Sequence, residues 1–315
     1  MAKDRIMKFL FLFLDGVGLG ADDVEINPFA CTPMPNLEAL LDGQRLIQDH
    51  QRLPVQTERA TLLPLDACLG VEGRPQSASG QATLLTGKNV PVIIGEHYGP
   101  KPNPEIQAIV ENGNLFNKLK QAGYQASFLN AFPEGYFQAL DSGRRLPGAV
   151  AMAARSACIS LKTQDDLFNG EALSADFTAQ GWWDHLKLPG TPILTPEQAG
   201  IRLKELTFQH DFAFFEYWLS DYAGHKRDMA NAQALLTTFD QVLGGLLSVW
   251  EDEKGLILLT SDHGNLEDLT VRSHTLNPVP ALVIGAADLR QAFTQNLRNL
   301  ADLFPAILRF FKIPN

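Results

Sequence analysis

The sequence has few cysteines, no long apolar run and no excess of positive charge. Its 315 residues include three cysteines, an odd number at widely separated positions: Cys31, Cys68 and Cys158. This pattern argues against a disulfide framework or a cysteine metal site, and it predicts reduced thiols in a cytoplasmic protein. The formal net charge of −10 argues against a protein that binds the phosphate backbone of nucleic acids.

The most apolar run, over residues 7–14, is too short to cross a membrane. It lacks the small-residue cleavage site of a signal peptide, and it leads directly into Asp15-Gly16. We therefore interpret this run as a buried strand. No other run approaches the ~18 apolar residues of a spanning helix, so the sequence predicts no membrane partner.

Apolar strands alternate with amphipathic helices along the chain. The patterns predict strands at 8–14, 124–129, 212–219, 255–260 and 280–284, and helices at 35–41, 105–122 with a break at Gly113, 149–157, 228–250 and 298–311. Such alternation predicts an α/β fold with a mostly parallel sheet covered by helices on both faces. The pattern loosens over 131–194, which predicts a small inserted cap. The predicted core then comprises 1–130 and 195–315.

Aspartate and histidine residues follow several of these predicted strands. Asp15 ends the first strand, Asp221 follows the strand at 212–219 with His225 four residues later, and Asp262-His263 follows the strand at 255–260. Ligands of open α/β sheets bind at the carboxyl ends of strands. Carboxylate and imidazole together suit zinc, manganese or iron. Each segment alone also has an ordinary explanation, namely a helix cap or a turn.

Two loops add further candidate residues. His274 lies in a polar loop that contains several prolines, eleven residues after His263. Ser77 lies in a tight loop that opens a predicted helix, where free backbone N–H groups favour an anion. A simple helix-capping role for this serine is the alternative.

Taken together, these segments resemble the alkaline phosphatase superfamily, and in particular the metalloenzyme core of cofactor-independent phosphoglycerate mutases and phosphopentomutases. The resemblance covers about 1–90 and 196–315, in the same order as in the family. The matching motifs are Asp15-Gly16, Ser77-Ala78-Ser79-Gly80, Asp221-Tyr222-Ala223-Gly224-His225, Asp262-His263-Gly264-Asn265 and His274 to Pro280. Gln81 stands where the family's serine motif has a histidine.

The resemblance implies a site for two divalent metal ions, and the histidine-rich ligand set favours manganese or zinc over magnesium. One ion would be held by Asp221, His225 and His274. The other would be held by Asp15, Asp262, His263 and Ser77. Ser77 would also be the nucleophile that forms a phosphoserine, because metal coordination activates a serine hydroxyl. Ser79 is the competing nucleophile.

These features predict a metal-dependent hydrolase of phosphate mono- or diesters, since the cap is too small for the enclosing lid that a mutase needs. The alternatives are a phosphomutase acting on a small sugar phosphate or phosphoglycerate, and a non-catalytic metal-binding protein. The expected partner is a small phosphorylated substrate, and the oligomeric state is left open. The candidate substrate-binding residues are His97, Lys88, Arg144 and Arg145.

Overall fold

A computed structural model describes residues 7–48 and 53–314. Within these ranges, seven strands form one sheet in the order β2-β3-β7-β6-β1-β5-β4. The strands are β1 (Lys8–Leu14), β2 (Val55–Gln56), β3 (Ala60–Leu65), β4 (Ala126–Phe128), β5 (Phe212–Tyr217), β6 (Gly255–Thr260) and β7 (Val279–Ile284).

The sheet is parallel on one side and antiparallel on the other. The neighbours β6-β1-β5-β4 are all parallel, whereas β7 runs antiparallel to both β6 and β3, and β2 runs antiparallel to β3. The predicted α/β fold is confirmed, but the expectation of a mostly parallel sheet is only partly correct. The reason is the connection between β6 and β7, which contains no helix among the described residues and therefore returns the chain in the opposite direction.

Fourteen α-helices of the described residues surround the sheet. They are α1 (Pro28–Cys31), α2 (Pro35–Leu40), α3 (Ser77–Thr86), α4 (Val90–Ile94), α5 (Pro104–Glu111), α6 (Leu115–Gln121), α7 (Glu134–Asp141), α8 (Ala149–Ser156), α9 (Gln164–Phe168), α10 (Pro196–Phe208), α11 (Leu219–Lys226), α12 (Met229–Val249), α13 (Ala287–Thr294) and α14 (Leu303–Phe310). The helical pattern at 105–122 forms two helices, α5 and α6, and it breaks at Gly113 as predicted.

Both faces of the sheet are buried, and the central strand β1 shows this most clearly. Its three phenylalanines, Phe9, Phe11 and Phe13, enter one hydrophobic cluster with α3, α5, α6, α8 and α14. Its leucines at the alternate positions enter a second cluster with α2, α10 and α12. Because successive side chains of a strand point to opposite faces, an uninterrupted apolar strand requires cover on both sides.

The segment 131–194, predicted as an inserted cap, contains two kinds of structure. Its helix α8 packs on α3, α5 and α6, and the residues Ala149–Ala154 belong to the main cluster on that face. Ala131, Leu167, Ala172, Ala179 and Trp182 form a separate small cluster. At least α8 is therefore integrated with the core, and the boundaries of a cap stay a prediction.

A search of the described helices for a membrane span gave none, since each is either too short or too polar.

Candidate metal centre

The candidate ligands lie where three adjacent parallel strands end. Strand β1 is paired with β5 on one side and β6 on the other, so their carboxyl ends meet at one edge of the sheet. Asp15 directly follows β1, and Asp262 and His263 lie in the loop after β6. Asp221 lies in the first turn of α11, which begins two residues after β5. The topology thus brings together residues that are about 250 positions apart in sequence.

We call Asp15, Ser77, Asp262 and His263 the inner ligand set. His263 Nε2 lies 3.0 Å from Ser77 Oγ, 3.4 Å from Asp15 Oδ1 and 3.6 Å from Asp262 Oδ2. The ligand atoms of the two aspartates and the histidine all lie within 4.8 Å of one another. All four residues are buried. Asp15 Oδ1 has no hydrogen-bond partner among the described residues, which is a feature that a bound cation would satisfy.

We call Asp221, His225 and His274 the outer ligand set. His225 Nε2 lies 3.3 Å from Asp221 Oδ2, and His274 Nε2 lies 3.7 Å from Asp221 Oδ1. The ring of His274 also stacks on that of His263, with 3.6 Å between centroids, so the two sets are in direct contact. The outer set is the more open one, since the side chain of His225 is 43% exposed.

Backbone carbonyls fix the proton positions of both outer imidazoles. His225 Nδ1 lies 2.8 Å from the carbonyl oxygen of Arg272, and His274 Nδ1 lies 2.7 Å from that of Pro75. A carbonyl oxygen can only accept, so each Nδ1 carries a proton, and Nε2 is the nitrogen that each ring presents to the site. These two Nε2 atoms are 3.3 Å apart and face the Asp221 carboxylate. Without a metal, a proton on His225 Nε2 links this nitrogen to Asp221. Once that proton is lost, the two imidazole nitrogens and the carboxylate can share a cation, so the residues fit a metal ion.

The two sets differ in their electrostatics. Burial, reinforced by the nearby carboxylates, raises the pKa of Asp15 and raises that of Asp262 to about 7. Burial lowers the pKa of His263 to about 3. Burial also opposes ionisation of Asp221, but the hydrogen bond from His225 and the nearby histidines lower its pKa to about 2. The inner carboxylates therefore lack a positive partner of the protein's own, whereas Asp221 has one.

Three side chains outside the predicted ligand list hold the ligands in place. Gln81 Nε2 donates to Asp262 Oδ2 at 3.1 Å and to Asp15 Oδ2 at 3.4 Å. Asn265 Nδ2 donates to Asp221 Oδ1 at 2.6 Å. The buried Glu267 accepts from the backbone N–H groups of Gly18 and Asn265 and from the side chains of Thr275 and Asn277, so it joins the loop after β1 to both ends of the loop between β6 and β7.

Sequence reasoning noted Gln81 only as a departure from the family motif and assigned Glu267 no role. The position of Glu267, two residues after the Asp262–Asn265 motif, is the only signal in the sequence that points to it.

The structure separates the two candidate nucleophiles. Ser77 is the first residue of α3 and faces His263. Ser79 Oγ instead donates to the carbonyl of Gln76 at 3.2 Å and accepts from the N–H of Tyr98 at 3.1 Å. Both hydrogen bonds of the Ser79 hydroxyl are to backbone groups, so this side chain stabilises the loop and does not face the ligand sets.

The four candidate substrate residues are dispersed. Lys88 lies beyond Gly87, at the opposite end of α3 from Ser77. His97 Nε2 lies 3.3 Å from the carbonyl of Val71, and Arg144 is exposed and donates to Ser142 Oγ at 2.9 Å. Arg145 lies 5.1 Å from the ring centroid of Tyr136 and lines a cavity. The described contacts link none of the four to the ligand sets, and their roles stay predictions.

Comparison with known proteins gives matches at the levels of family and fold. Residues 197–315 match the model of the Metalloenzyme superfamily. A 2,3-bisphosphoglycerate-independent phosphoglycerate mutase from Dinoroseobacter shibae is 35% identical over 112 residues, which are 33% of this chain and 22% of that protein. The chain thus spans about a fifth of the length of this curated relative.

Solved structures match almost the whole chain. The PH0037 protein from Pyrococcus horikoshii is 16% identical with a TM-score of 0.58, and the match covers 98% of each chain. Alkaline phosphatase from the Antarctic bacterium TAB5 is 12% identical with a TM-score of 0.53, and the match covers 98% of this chain and 100% of that one. At these identities the structures establish the fold.

Residues 197–315 thus match the Metalloenzyme superfamily, and the chain has the fold of alkaline phosphatase, in agreement with the resemblance that the motifs indicated. The matched segment 197–315 contains five of the seven candidate ligands, namely both histidines and the aspartate of the outer set together with Asp262 and His263. Asp15 and Ser77 lie outside this segment, and the fold brings them to it.

Proposed function

We propose that this protein is a metal-dependent phosphoryl-transfer enzyme that hydrolyses phosphate esters through a phosphoserine at Ser77. The single observation that carries the proposal is the position of Ser77. Its hydroxyl lies 3.0 Å from His263 Nε2, beside both ligand sets and at the start of the ten-residue helix α3. The first N–H groups of a helix lack intrahelical partners and favour an anion such as a phosphoryl group.

Asp15, Asp262, His263 and Ser77 would hold one divalent cation, and Asp221, His225 and His274 would hold the other. Imidazole and carboxylate donors favour manganese or zinc over magnesium. When bound, such ions stabilise negative charge on the transferring phosphoryl group and lower the pKa of the serine hydroxyl.

The protein's own residues carry the two steps. Ser77 Oγ attacks phosphorus, so that the Oγ–P bond forms and the ester P–O bond breaks. The departing alkoxide takes up one proton, which balances the proton that Ser77 loses. Water then attacks the phosphoserine, and its P–O bond breaks to release phosphate and restore the serine. The backbone at the start of α3 orients the phosphoryl oxygens, and Gln81 holds Asp15 and Asp262 in place.

A phosphomutase is the second candidate, and the curated relative favours it, since its name is that of a phosphoglycerate mutase. The two functions share the phosphoserine and differ in the acceptor. A hydrolase passes the phosphoryl group to water, whereas a mutase returns it to another hydroxyl of the same substrate. In either case we propose a small phosphorylated substrate and a cytoplasmic location, in agreement with the three dispersed cysteines and the acidic net charge.

The test combines metal analysis with turnover of aryl phosphate mono- and diesters. Wild type is compared with Ser77→Ala and with Ser79→Ala, a matched control in the same helix. We expect about two metal ions per chain and loss of turnover in Ser77→Ala, with Ser79→Ala retaining it. Acid quenching during turnover should trap the phosphoserine, so that the tryptic peptide containing Ser77 carries one phosphoryl group. Mass spectrometry detects the added mass.

The outcomes separate the candidates. Release of inorganic phosphate supports the hydrolase. A labelled Ser77 with no phosphate release, but with isomerisation of a small sugar phosphate or phosphoglycerate, supports the mutase. A protein that binds metal but forms no phosphoserine with any ester contradicts both functions. A protein that binds neither manganese nor zinc contradicts the metal centre itself.

A further inference from the structure

A cavity lined with aromatic side chains lies beside the candidate metal centre. It has a volume of about 440 Å³, within the range of small-molecule sites. Its lining includes four aromatic residues and two charged ones: Phe132, Tyr136, Trp182, Trp218, Arg145 and Glu216. The proposed phosphoryl transfer uses none of them.

The cavity and the metal centre share the ends of the same strands. Glu216 is on β5, opposite Phe13 of β1, two residues before Asp15. Trp218 follows β5 directly and precedes Asp221 by three residues. Glu216 and Trp218 thus lie at the same end of β5 as Asp221, and β5 is paired with the strand that ends at Asp15. The cavity therefore lies at the edge of the sheet that carries the ligand sets.

The aromatic groups give the cavity an apolar wall, and the indole of Trp218 is its most exposed ring. Phe132 and Tyr136 stack on each other at 4.3 Å between centroids and 25° between planes, and the guanidinium of Arg145 lies over the Tyr136 ring. Trp218 is 46% exposed and Leu186 is 43% exposed, so the mouth of the cavity keeps apolar surface in contact with water. Contiguous exposed apolar surface around a concave site is characteristic of ligand binding.

Glu216 adds a polar group among these rings. Its backbone N–H and carbonyl are both bonded to the side chain of Asn130, at 2.8 and 2.7 Å, which fixes the position of the residue. Among the described residues none donates a hydrogen bond to its carboxylate, which remains available as an acceptor for a ligand. Such an acceptor among aromatic rings selects ligands whose ring carries N–H or O–H donors.

We propose that this cavity is the leaving-group subsite and that it binds a planar aromatic ring attached to the phosphate ester. The inference rests on the proposed function for the position of the phosphoryl group. Two kinds of substrate share the required chemistry, namely nucleotides, whose base is the ring, and simple aryl or arylalkyl phosphates. Glu216 favours the first kind, because nucleobases carry N–H donors.

The test begins with binding, so that it does not depend on turnover. Ser77→Ala protein is probed by saturation-transfer NMR with adenosine and benzyl alcohol, and with ribose and cyclohexylmethanol as non-aromatic counterparts. We expect saturation of the ring protons of both aromatic probes, and little for the other two. The tryptophan pair gives a matched control. Trp218 lines the cavity, Trp183 does not appear in its lining, and both are 46% exposed.

Trp218→Ala should weaken binding of the aromatic probes about tenfold or more, as expected for a lost stacking contact, whereas Trp183→Ala should leave it unchanged. In the active protein, Trp218→Ala should lower kcat/KM for an aromatic ester by a similar factor and leave that for glycerol phosphate unchanged. If adenosine binds more strongly than benzyl alcohol and Glu216→Gln reduces this difference, the substrate is a nucleotide. If the two probes bind equally, the substrate is a simple aryl or arylalkyl phosphate.

Equal binding of benzyl alcohol and cyclohexylmethanol would contradict a subsite for planar rings, as would equal effects of the two tryptophan variants. Absence of turnover together with Trp218-dependent binding would count against the proposed function alone. Turnover without any Trp218 dependence would overturn the subsite and leave the function intact.

Discussion

The inner and outer ligand sets use the same side chains in opposite electrostatic settings. The inner set places Asp15 and Asp262 together in a buried site, where Gln81 is the neutral donor to both. The outer set places a single carboxylate, Asp221, between two histidines and the amide of Asn265. Burial accordingly raises the pKa of Asp262 to about 7, whereas its partners lower that of Asp221 to about 2.

From this difference we expect the two ligand sets to depend on metal to unequal degrees. Without a cation, the inner carboxylates repel one another in a region that disfavours charge. The outer carboxylate is already stabilised by hydrogen bonds and by the partial exposure of His225. A bound ion should therefore stabilise the inner set more than the outer set, and removal of metal should affect it more.

The largest effect should come from the histidine that touches both sets. His263→Ala removes a ligand that faces Ser77 and stacks on His274, and we expect a loss of kcat/KM beyond the roughly 10- to 100-fold that supporting residues cost. His225→Ala should lie within that range and be partly rescued by excess metal, because its site is open to solvent. Metal titrations of turnover measure both effects.

His263 is fully buried, so circular dichroism of each variant must show native helix content. His263→Gln provides a second variant that keeps more of the volume. Equal losses in the His225 and His263 variants at saturating metal would remove the distinction between the two sets.

The second prediction concerns the pH dependence of stability in metal-free protein. Burial raises the pKa values of Asp262 and of Glu216 to about 7, so between about pH 4 and pH 7 these two groups bind more protons in the folded state than in the unfolded state, whereas His263, whose pKa burial lowers to about 3, acts in the opposite direction. The stability that Asp262 contributes should therefore be lost as the pH rises through that window, and the difference between wild type and Asp262→Asn isolates this contribution. Urea unfolding at a series of pH values measures this.

Added manganese or zinc should reverse the trend, since metal binds the deprotonated carboxylates. In the absence of metal, wild type should lose stability relative to Asp262→Asn between pH 4 and pH 7. A difference between the two proteins that stays constant from pH 5 to pH 7 would contradict the account of the inner set as an uncompensated pair of carboxylates.

The fold was predictable where a strand is apolar throughout. The runs that form β1, β5 and β6 are buried on both faces and have no other explanation in the sequence. The sequence did not predict β3, because Pro64 interrupts its apolar pattern. In the structure Pro64 of β3 faces Pro280 of β7. Pro64 lies outside the part of β3 that pairs with β2, and Pro280 lies outside the part of β7 that pairs with β6. The missing N–H groups therefore cost no hydrogen bond between strands.

The part of the candidate site that could be predicted consists of the ligands that lie in recognisable sequence motifs. The seven predicted ligands come together because the aspartates and His263 follow strands and Ser77 opens α3 at the same edge of the sheet, while α11 carries His225 and the loop before β7 carries His274 to that edge. The cavity at Trp218 and the bridging role of Glu267 were not predictable, since they depend on which distant loops meet. The antiparallel direction of β7 was missed for a related reason: the ligand loop between β6 and β7 returns the chain without the helix that a parallel connection needs.

The third prediction concerns Gly16, whose backbone lies against Asp221 of the outer set. Gly16 has φ of +69°, and an added Cβ would lie 2.6 Å from Asp221 Oδ1 and 2.9 Å from Asp221 Cα. Gly16→Ala should therefore displace Asp221 and cost about 1–3 kcal/mol of stability. Gly43→Ala is the matched control, because its φ is +83° but nothing lies within 4 Å of its added Cβ.

We expect Gly16→Ala to lose one metal ion by elemental analysis, and Gly43→Ala to show only the backbone strain in its unfolding curve. Equal metal content in the two variants would indicate that Asp221 adapts without loss of its ligand role.

The smallest effect should come from Gln81, which acts on the inner set alone. Gln81→Leu removes the donor to Asp262 and Asp15, and this hydrogen bond opposes the rise in the pKa of Asp262 that burial causes. The inner ion should then bind about tenfold more weakly, as for other supporting residues, while the outer ion is unaffected. Gln107→Leu is the matched control, since Gln107 donates only to the carbonyl of Pro102. Competition with a chelator resolves the two ions. Equal weakening of both would mean that the inner and outer sets act as one unit, joined through the stacked rings of His263 and His274.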